Sequence, residues 1–206
     1  GEAVTFLLLI TLSLLFVYAL YFAAQTARIQ SSPKDFLDGG MTLPGWSVMF
    51  ILPAIGVAAL GVERHFLLVT NYGLQASHVA VGLITVAIAA VMLWNRLWVA
   101  TRLAGLCTPG EAIGRYYNSV ALRVIFMGLC ILFALPYSAN LLSQAALLLQ
   151  QATFGTIPRE MGVWIFAVSM AMPAIIGGWR AVVLVLAMEA LLIAILIPGI
   201  TLFGEI

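Results

Sequence analysis

The sequence has 206 residues, of which 64% are hydrophobic and 8% are charged, and its formal net charge is +1. Because a soluble domain carries about 25% charged residues, this composition predicts an integral membrane protein and excludes an intrinsically disordered chain. The small net charge gives no reason to expect nucleic-acid binding. The two cysteines, Cys107 and Cys130, lack the spacing of a disulfide or a metal site, so no metal ligands are predicted.

Six apolar stretches reach the length of about 17–25 residues that a helix needs to cross a bilayer. In chain order they cover residues 3–24, 46–70, 78–99, 120–150, 161–178 and 181–203. The predicted fold class is therefore all-α integral membrane, with about six transmembrane helices. The whole chain, 1–206, is predicted to form a single transmembrane domain.

The first apolar segment, 3–24, predicts a retained membrane helix. Its amino-terminal side carries Glu2, and the basic residues Arg28 and Lys34 follow it. A signal peptide has the opposite order, with basic residues before its apolar part. This segment therefore differs from a cleaved leader.

The basic residues predict the orientation in the membrane, because lysine and arginine concentrate on the cytoplasmic side. With the amino terminus outside, the inner side holds most of them, namely Arg28, Lys34, Arg96, Arg102, Arg115, Arg123 and Arg180. The outer side then holds Arg64 and Arg159. We expect a multi-pass protein of the cell membrane with its amino terminus outside.

The second apolar segment, 46–70, contains two residues that weaken helices, Pro53 and Gly56. Proline removes a backbone donor, and glycine leaves the backbone unrestricted. At about 1.5 Å per residue from Trp46, Gly56 would lie about 15 Å deep, near the middle of the bilayer. The pattern predicts a helix break there, of the kind that presents carbonyls to a cation in transporters. The alternative is that small residues let neighbouring helices approach closely.

Three ionisable residues, Glu63, Arg64 and His65, follow in the same segment. They would lie about 25–28 Å from Trp46, close to the outer membrane surface. The simpler interpretation is a solvated or locally paired cluster at a helix end. The alternative is a gate, or a docking contact with another subunit.

The fourth apolar segment, 120–150, is too long for one straight crossing, and Pro136 interrupts it. Polar residues follow this proline, among them Ser138, Asn140 and Gln144. Asn140 and Gln144 share a face at helical spacing. Because polar groups are costly in lipid, we expect these side chains to face the protein interior or an aqueous pathway.

Three motifs resemble the sodium:solute symporter family. DFLDGGMTLPGW (35–46) is similar to the segment before that family's broken helix. TPGEAIGRYYNSVALRV (108–124), followed by LFALPYSANLLSQA (132–145), resembles its third core helix and the approach to it. GGWRAV (177–182) resembles the turn between its fourth and fifth core helices. The resemblance covers nearly the whole chain and about half of a typical member.

The resemblance implies a five-helix inverted-repeat fold of the LeuT type. Segment 3–24 would be a leading helix, and 46–203 would form the first repeat with a broken first core helix. Family members bind sodium partly through backbone carbonyls at that break, which correspond here to Gly56 and Ala59. The family's third core helix implies three residues near the permeation pathway: Ser138, Asn140 and Gln144.

The chain departs from the family at two places. GVAAL (56–60) is apolar where many members carry polar or acidic residues. LVL (184–186) replaces a polar stretch after the Gly-Gly turn, although Glu189 follows it. The family's sodium site also takes hydroxyl groups from a second repeat, which would follow Ile206.

The resemblance implies the amino-terminal half of a sodium-coupled secondary transporter, with membrane lipid and a small-molecule solute as partners. Sodium would be the coupling ion, and no other cofactor is expected. One alternative is a non-transporting subunit of a larger membrane complex, with other membrane subunits as partners. A further alternative is a membrane sensor domain. An enzyme is not expected, because the sequence contains no nucleophile–base pair, metal-ligand cluster or phosphate loop.

Overall fold

The computed structural model describes residues 1–30, 32–38, 43–60 and 62–203. Within these ranges the chain forms helices and no strands. Four helical stretches are long and apolar enough to cross a membrane: Glu2–Ile29, His78–Ala104, Val120–Ala152 and Arg159–Leu196. The prediction of an all-α membrane protein is confirmed at this level.

The described α-helices, in chain order, are α1 (Glu2–Ile29), α2 (Pro33–Asp38), α3 (Gly45–Leu60), α4 (Val62–Tyr72), α5 (His78–Ala104), α6 (Pro109–Tyr116), α7 (Val120–Ala152) and α8 (Arg159–Phe203). A short 3₁₀ helix, Gly73–Ser77, connects α4 to α5. Helices α1, α5 and α7 match predicted apolar segments to within about five residues at each end. Long apolar runs are therefore reliable markers of these helices.

The second predicted segment, 46–70, is divided between α3 and α4. The backbone is helical at both Pro53 and Gly56, and α3 continues to Leu60. The boundary between the two helices thus falls after the predicted break. A proline costs a helix only the hydrogen bond that its own nitrogen would donate and a crowded turn, which a helix in a protein can accommodate.

Helix α8 consists of two helical arms that meet at Gly178, where φ is 68° and ψ is −156°. These angles lie far from helical values and turn the chain between the arms. The sequence predicts separate helices over 161–178 and 181–203, and this division falls at the observed turn.

The chain divides into two compact units. Unit 1 comprises Gly1–Ile55 and Pro136–Ile206. Within it, α1 packs along α8, and α2 also contacts α8. The buried residues of α1 are Ala19, Ala23 and Thr26. Those of the second arm of α8 include Ala181, Val183, Ala187 and Ala190. Small side chains let membrane helices approach closely, so van der Waals contact holds this pair together.

Unit 2 comprises Gly56–Leu135. Here the 3₁₀ helix contacts both α4 and α5, while α6 packs on the first turns of α7. A methyl group placed on Gly110 would lie 3.2 Å from Cγ of Met127, and one on Gly114 would lie 2.9 Å from Cβ of Arg123. None of the residues in the most apolar part of α5 is buried within the protein, which suits a helix surrounded by lipid.

Candidate functional site

Helix α2 begins with residues suited to a helix start. Ser32 precedes the helix and accepts a hydrogen bond from the Asp35 N–H at 3.3 Å through its side-chain oxygen. Pro33 is the first helical residue, where its fixed φ suits a helix and its missing N–H costs nothing. A single turn of helix therefore forms beside the end of α1 and presents Phe36 to α8.

Phe36 lies directly against Gly178 at the turn of α8. A methyl group on Gly178 would collide with the Phe36 carbonyl oxygen and would lie 2.8 Å from Cδ2 of its ring. The positive φ of Gly178 adds a second reason for glycine, because side chains are strained in this conformation. Two of the three motifs, 35–46 and 177–182, are therefore in contact although they are far apart in the chain.

The neighbouring Gly177 completes this junction on the side of α1. Its carbonyl oxygen accepts a hydrogen bond from the side-chain amide of Gln30, the residue that follows α1. A methyl group on Gly177 would lie 2.9 Å from the carbonyl oxygen of Ala23. We call Ala23, Gln30, Phe36, Gly177 and Gly178 the glycine junction. It anchors α1 and α2 to the turn of α8.

The second motif contains α6, a short helix that lies between α5 and α7 and is capped by Thr108. We call α6 and its cap the elbow. Thr108 caps α6 by accepting the Glu111 N–H at 3.3 Å, and Glu111 reaches back to accept the Cys107 N–H at 3.0 Å. Reciprocal capping of this kind satisfies N–H groups at a helix start. The other carboxylate oxygen of Glu111 lies 3.2 Å from Arg123 of α7. The motif thus holds α6 against the beginning of the long helix.

The pKa of Glu111 is lowered, chiefly by the hydrogen bond from Cys107 N–H. Desolvation opposes this effect, and the charge of Arg123 makes a smaller contribution that lowers the pKa further. A carboxyl with a lowered pKa in the folded state stabilises that state above its ordinary pKa. This stabilisation is lost as the pH falls through the lowered pKa. The elbow should therefore loosen in acid.

Glu111→Gln tests this pH dependence. At about pH 7, we expect faster hydrogen–deuterium exchange over residues 105–117 in the variant, because the charge-assisted bonds are lost. The difference should shrink as the pH falls through the lowered pKa of Glu111, because the protonated carboxyl then resembles the glutamine amide. Glu160→Gln, which removes a carboxylate from the first turn of α8, is the control and should leave this region unchanged. A difference that persists in acid would contradict the role of the charge.

The predicted pathway residues lie on the part of α7 that belongs to unit 1. Ser138, Asn140 and Gln144 are all exposed, and the last two are one helical turn apart. Next to them, Ser143 accepts a hydrogen bond from the guanidinium of Arg159 at the start of α8. The structure therefore places a cation at Ser143, the residue that precedes Gln144 in the chain. The sequence alone does not indicate this pair, because Arg159 is 16 residues from Ser143 in the chain.

The predicted ion site and outer cluster are only partly within the described structure. Gly56 and Ala59 are helical residues of α3, but their surroundings lie outside the described part. Glu63 and His65 are helical residues of α4 whose side chains also lie outside the described part, whereas Arg64 is exposed on α4. Sodium coordination and a docking or gating role therefore stay predictions. Among the described residues no group of three or more histidine, cysteine, aspartate or glutamate side chains is placed to hold a metal ion.

Comparison with known proteins provides no relative. No family model matches the sequence, and neither a curated protein nor a solved structure matches it. The resemblance to the sodium:solute symporters therefore rests on the three sequence motifs.

Proposed function

We propose that this chain forms the leading helix and the first repeat of a sodium-coupled secondary transporter of a small solute. The observation that carries the proposal is the contact between Phe36 and Gly178. It joins the motif segments 35–46 and 177–182, which both resemble segments of the symporter family. Local sequence similarity that arose by chance would not require the two segments to meet.

The proposal assigns six crossings to the described helices. They are α1, α3 with the start of α4, α5, α7 and the two arms of α8. At about 1.5 Å per residue the arms of α8 are about 28 and 38 Å long, and either can cross an apolar layer of about 30 Å. The proposed arrangement is a leading helix followed by five helices of a LeuT-type repeat, with the amino terminus outside.

In this transporter, the carbonyls of Gly56 and Ala59, in the last turns of α3 before its end at Leu60, contribute to a sodium site that residues of a second repeat complete. Ser138, Asn140 and Gln144 line the solute pathway. Their exposure on α7 supports this role, because polar side chains in a membrane helix are costly unless water or protein meets them. Alternating access requires two repeats that move against each other, so the activity belongs to the complete polypeptide.

Transport by the complete natural polypeptide in proteoliposomes tests the proposal. We expect uptake of at least one solute from a panel of amino acids, monocarboxylates and sugars to rise about tenfold when sodium replaces choline outside, since sodium entry drives a symporter. Asn140→Leu should abolish most of this uptake. The control Gln151→Leu alters an exposed amide at the end of the same helix and should leave it intact. Uptake that is indifferent to sodium contradicts the proposal.

A non-transporting subunit of a larger membrane complex is the second candidate. The apolar run GVAAL (56–60) favours it, because a cation site usually includes polar or acidic groups. The apolar cores of α5 and α7 contain no buried residues, so these helices also have surface for partner helices. A folded complete polypeptide that transports none of the panel, with or without sodium, would favour this candidate.

A further inference from the structure

Unit 2 contains a cavity of about 390 Å³ between the end of α5, helix α6 and the start of α7. This volume lies in the range of about 300–1,000 Å³ that small-molecule sites occupy. Its lining includes Glu111, Arg115, Ser119, Val120 and Arg123. The proposed transport pathway does not use this cavity.

The charges around the cavity favour an anion. Two arginines, Arg115 and Arg123, line it with one carboxylate, Glu111. That carboxylate already accepts the Cys107 N–H and the guanidinium of Arg123. A guanidinium carries five N–H donors in a planar fork that suits phosphate. The described hydrogen bonds, from Arg115 to the Ala104 carbonyl and from Arg123 to Glu111, each engage one of these donors.

The beginning of α7 adds donors to the same wall. Ser119 is the N-cap residue and accepts the Leu122 N–H at 3.3 Å through its side-chain oxygen. The first N–H groups of a helix have no partner within it and carry the positive end of the helix dipole. Val120, the first residue of α7, lines the cavity beside them. Two guanidinium groups and a helix start therefore converge on one space.

The position of the cavity indicates the source of the anion. It lies where two membrane-length helices end, α5 at Ala104 and α7 at Val120. Trp98, near the end of α5, is 54% exposed, and the guanidinium of Arg102 lies 5.3 Å from its ring centre. Tryptophan and tyrosine concentrate at the level of the lipid headgroups, and Tyr116 of α6 is 83% exposed. The cavity thus lies at the height where lipid phosphates lie.

We propose that this cavity binds the phosphate ester of an anionic phospholipid headgroup, held between Arg115, Arg123 and the first turn of α7. Basic pockets between membrane helices are a known means of holding such headgroups. Free inorganic phosphate shares this chemistry, but it would have no need of a site at the membrane surface. The proposal does not depend on transport, since the site belongs wholly to unit 2.

Ser119→Asp tests the site without removing either arginine. Aspartate is as good an N-cap residue as serine, so α7 should still begin normally, but its negative charge would repel a phosphate. Ser119→Asn is the matched control, because it also caps the helix and adds no charge. The protein, purified in neutral detergent, is titrated with short-chain phosphatidylglycerol, and the bound lipid is counted by native mass spectrometry. Short-chain phosphatidylcholine and inorganic phosphate are tested in parallel.

We expect the aspartate variant to bind phosphatidylglycerol at least tenfold more weakly than wild type, and the asparagine variant to stay within twofold. Phosphatidylcholine should bind weakly to all three proteins. Arg115→Gln should weaken phosphatidylglycerol binding as well, whereas Arg96→Gln, which removes a basic residue of α5 outside the cavity, should not. Equal binding by the aspartate and asparagine variants would overturn the site. Displacement of the lipid by equimolar inorganic phosphate would overturn its assignment to lipid.

Discussion

Gly178→Ala is expected to lower the free energy of unfolding by about 1–3 kcal/mol, which is what backbone in this conformation costs residues other than glycine. With φ at 68° and ψ at −156°, Gly178 occupies a region that is almost restricted to glycine. The added methyl group would also collide with the carbonyl oxygen of Phe36. The carbonyl of Phe36 belongs to the backbone and cannot rotate aside as a flexible side chain can. The added methyl group would therefore force α2 away from α8.

Unfolding in mixed micelles with increasing sodium dodecyl sulfate measures this loss. Gly199→Ala is the control, because Gly199 lies in the same helix and a methyl group there would meet no atom within 4 Å. Since alanine is the better helix former by about 1 kcal/mol, the control should be unchanged or slightly more stable. If both variants unfold alike, the glycine junction does not stabilise the protein.

Ala23→Leu is expected to have the second large effect, a loss of about 1–3 kcal/mol, the usual cost of forcing a larger side chain into a packed interface. Ala23 is fully buried, and its backbone lies 2.9–3.2 Å from the position of a methyl group on Gly177. A leucine would push α1 away from α8. The hydrogen bond from Gln30 to the Gly177 carbonyl should then lengthen or break.

The adjacent Ala24→Leu is the matched control. Ala24 is exposed on α1, so a leucine there should change the free energy of unfolding by less than about 0.5 kcal/mol. Both variants add the same apolar atoms to the same helix, which removes hydropathy as an explanation. Equal stability of the two variants would show that α1 does not depend on its contact with α8.

Several elements of the fold can be predicted from the sequence because their causes are local. Apolar length alone predicts α1, α5 and α7, since a membrane helix satisfies its own backbone and needs only enough apolar residues. The Gly-Gly pair at 177–178 predicts the turn of α8. The candidate break at Pro53 and Gly56 shows the limit of such reasoning, because the backbone remains helical there. Proline weakens a helix, but the surrounding packing decides whether it ends.

The contacts between distant residues depended on tertiary structure. Nothing in the local pattern around Phe36 indicates that its carbonyl lies against Gly178, nor does the polar run on α7 indicate that Arg159 donates to Ser143. The cavity at Arg115 and Arg123 forms only when α6 folds back onto α7. Apolar length and helix caps depend on residues that are close together in the chain, so they can be recognised from the sequence. The close contact between Phe36 and Gly178 and the charges around the cavity involve residues that only the fold brings together. The tertiary structure alone therefore decides them.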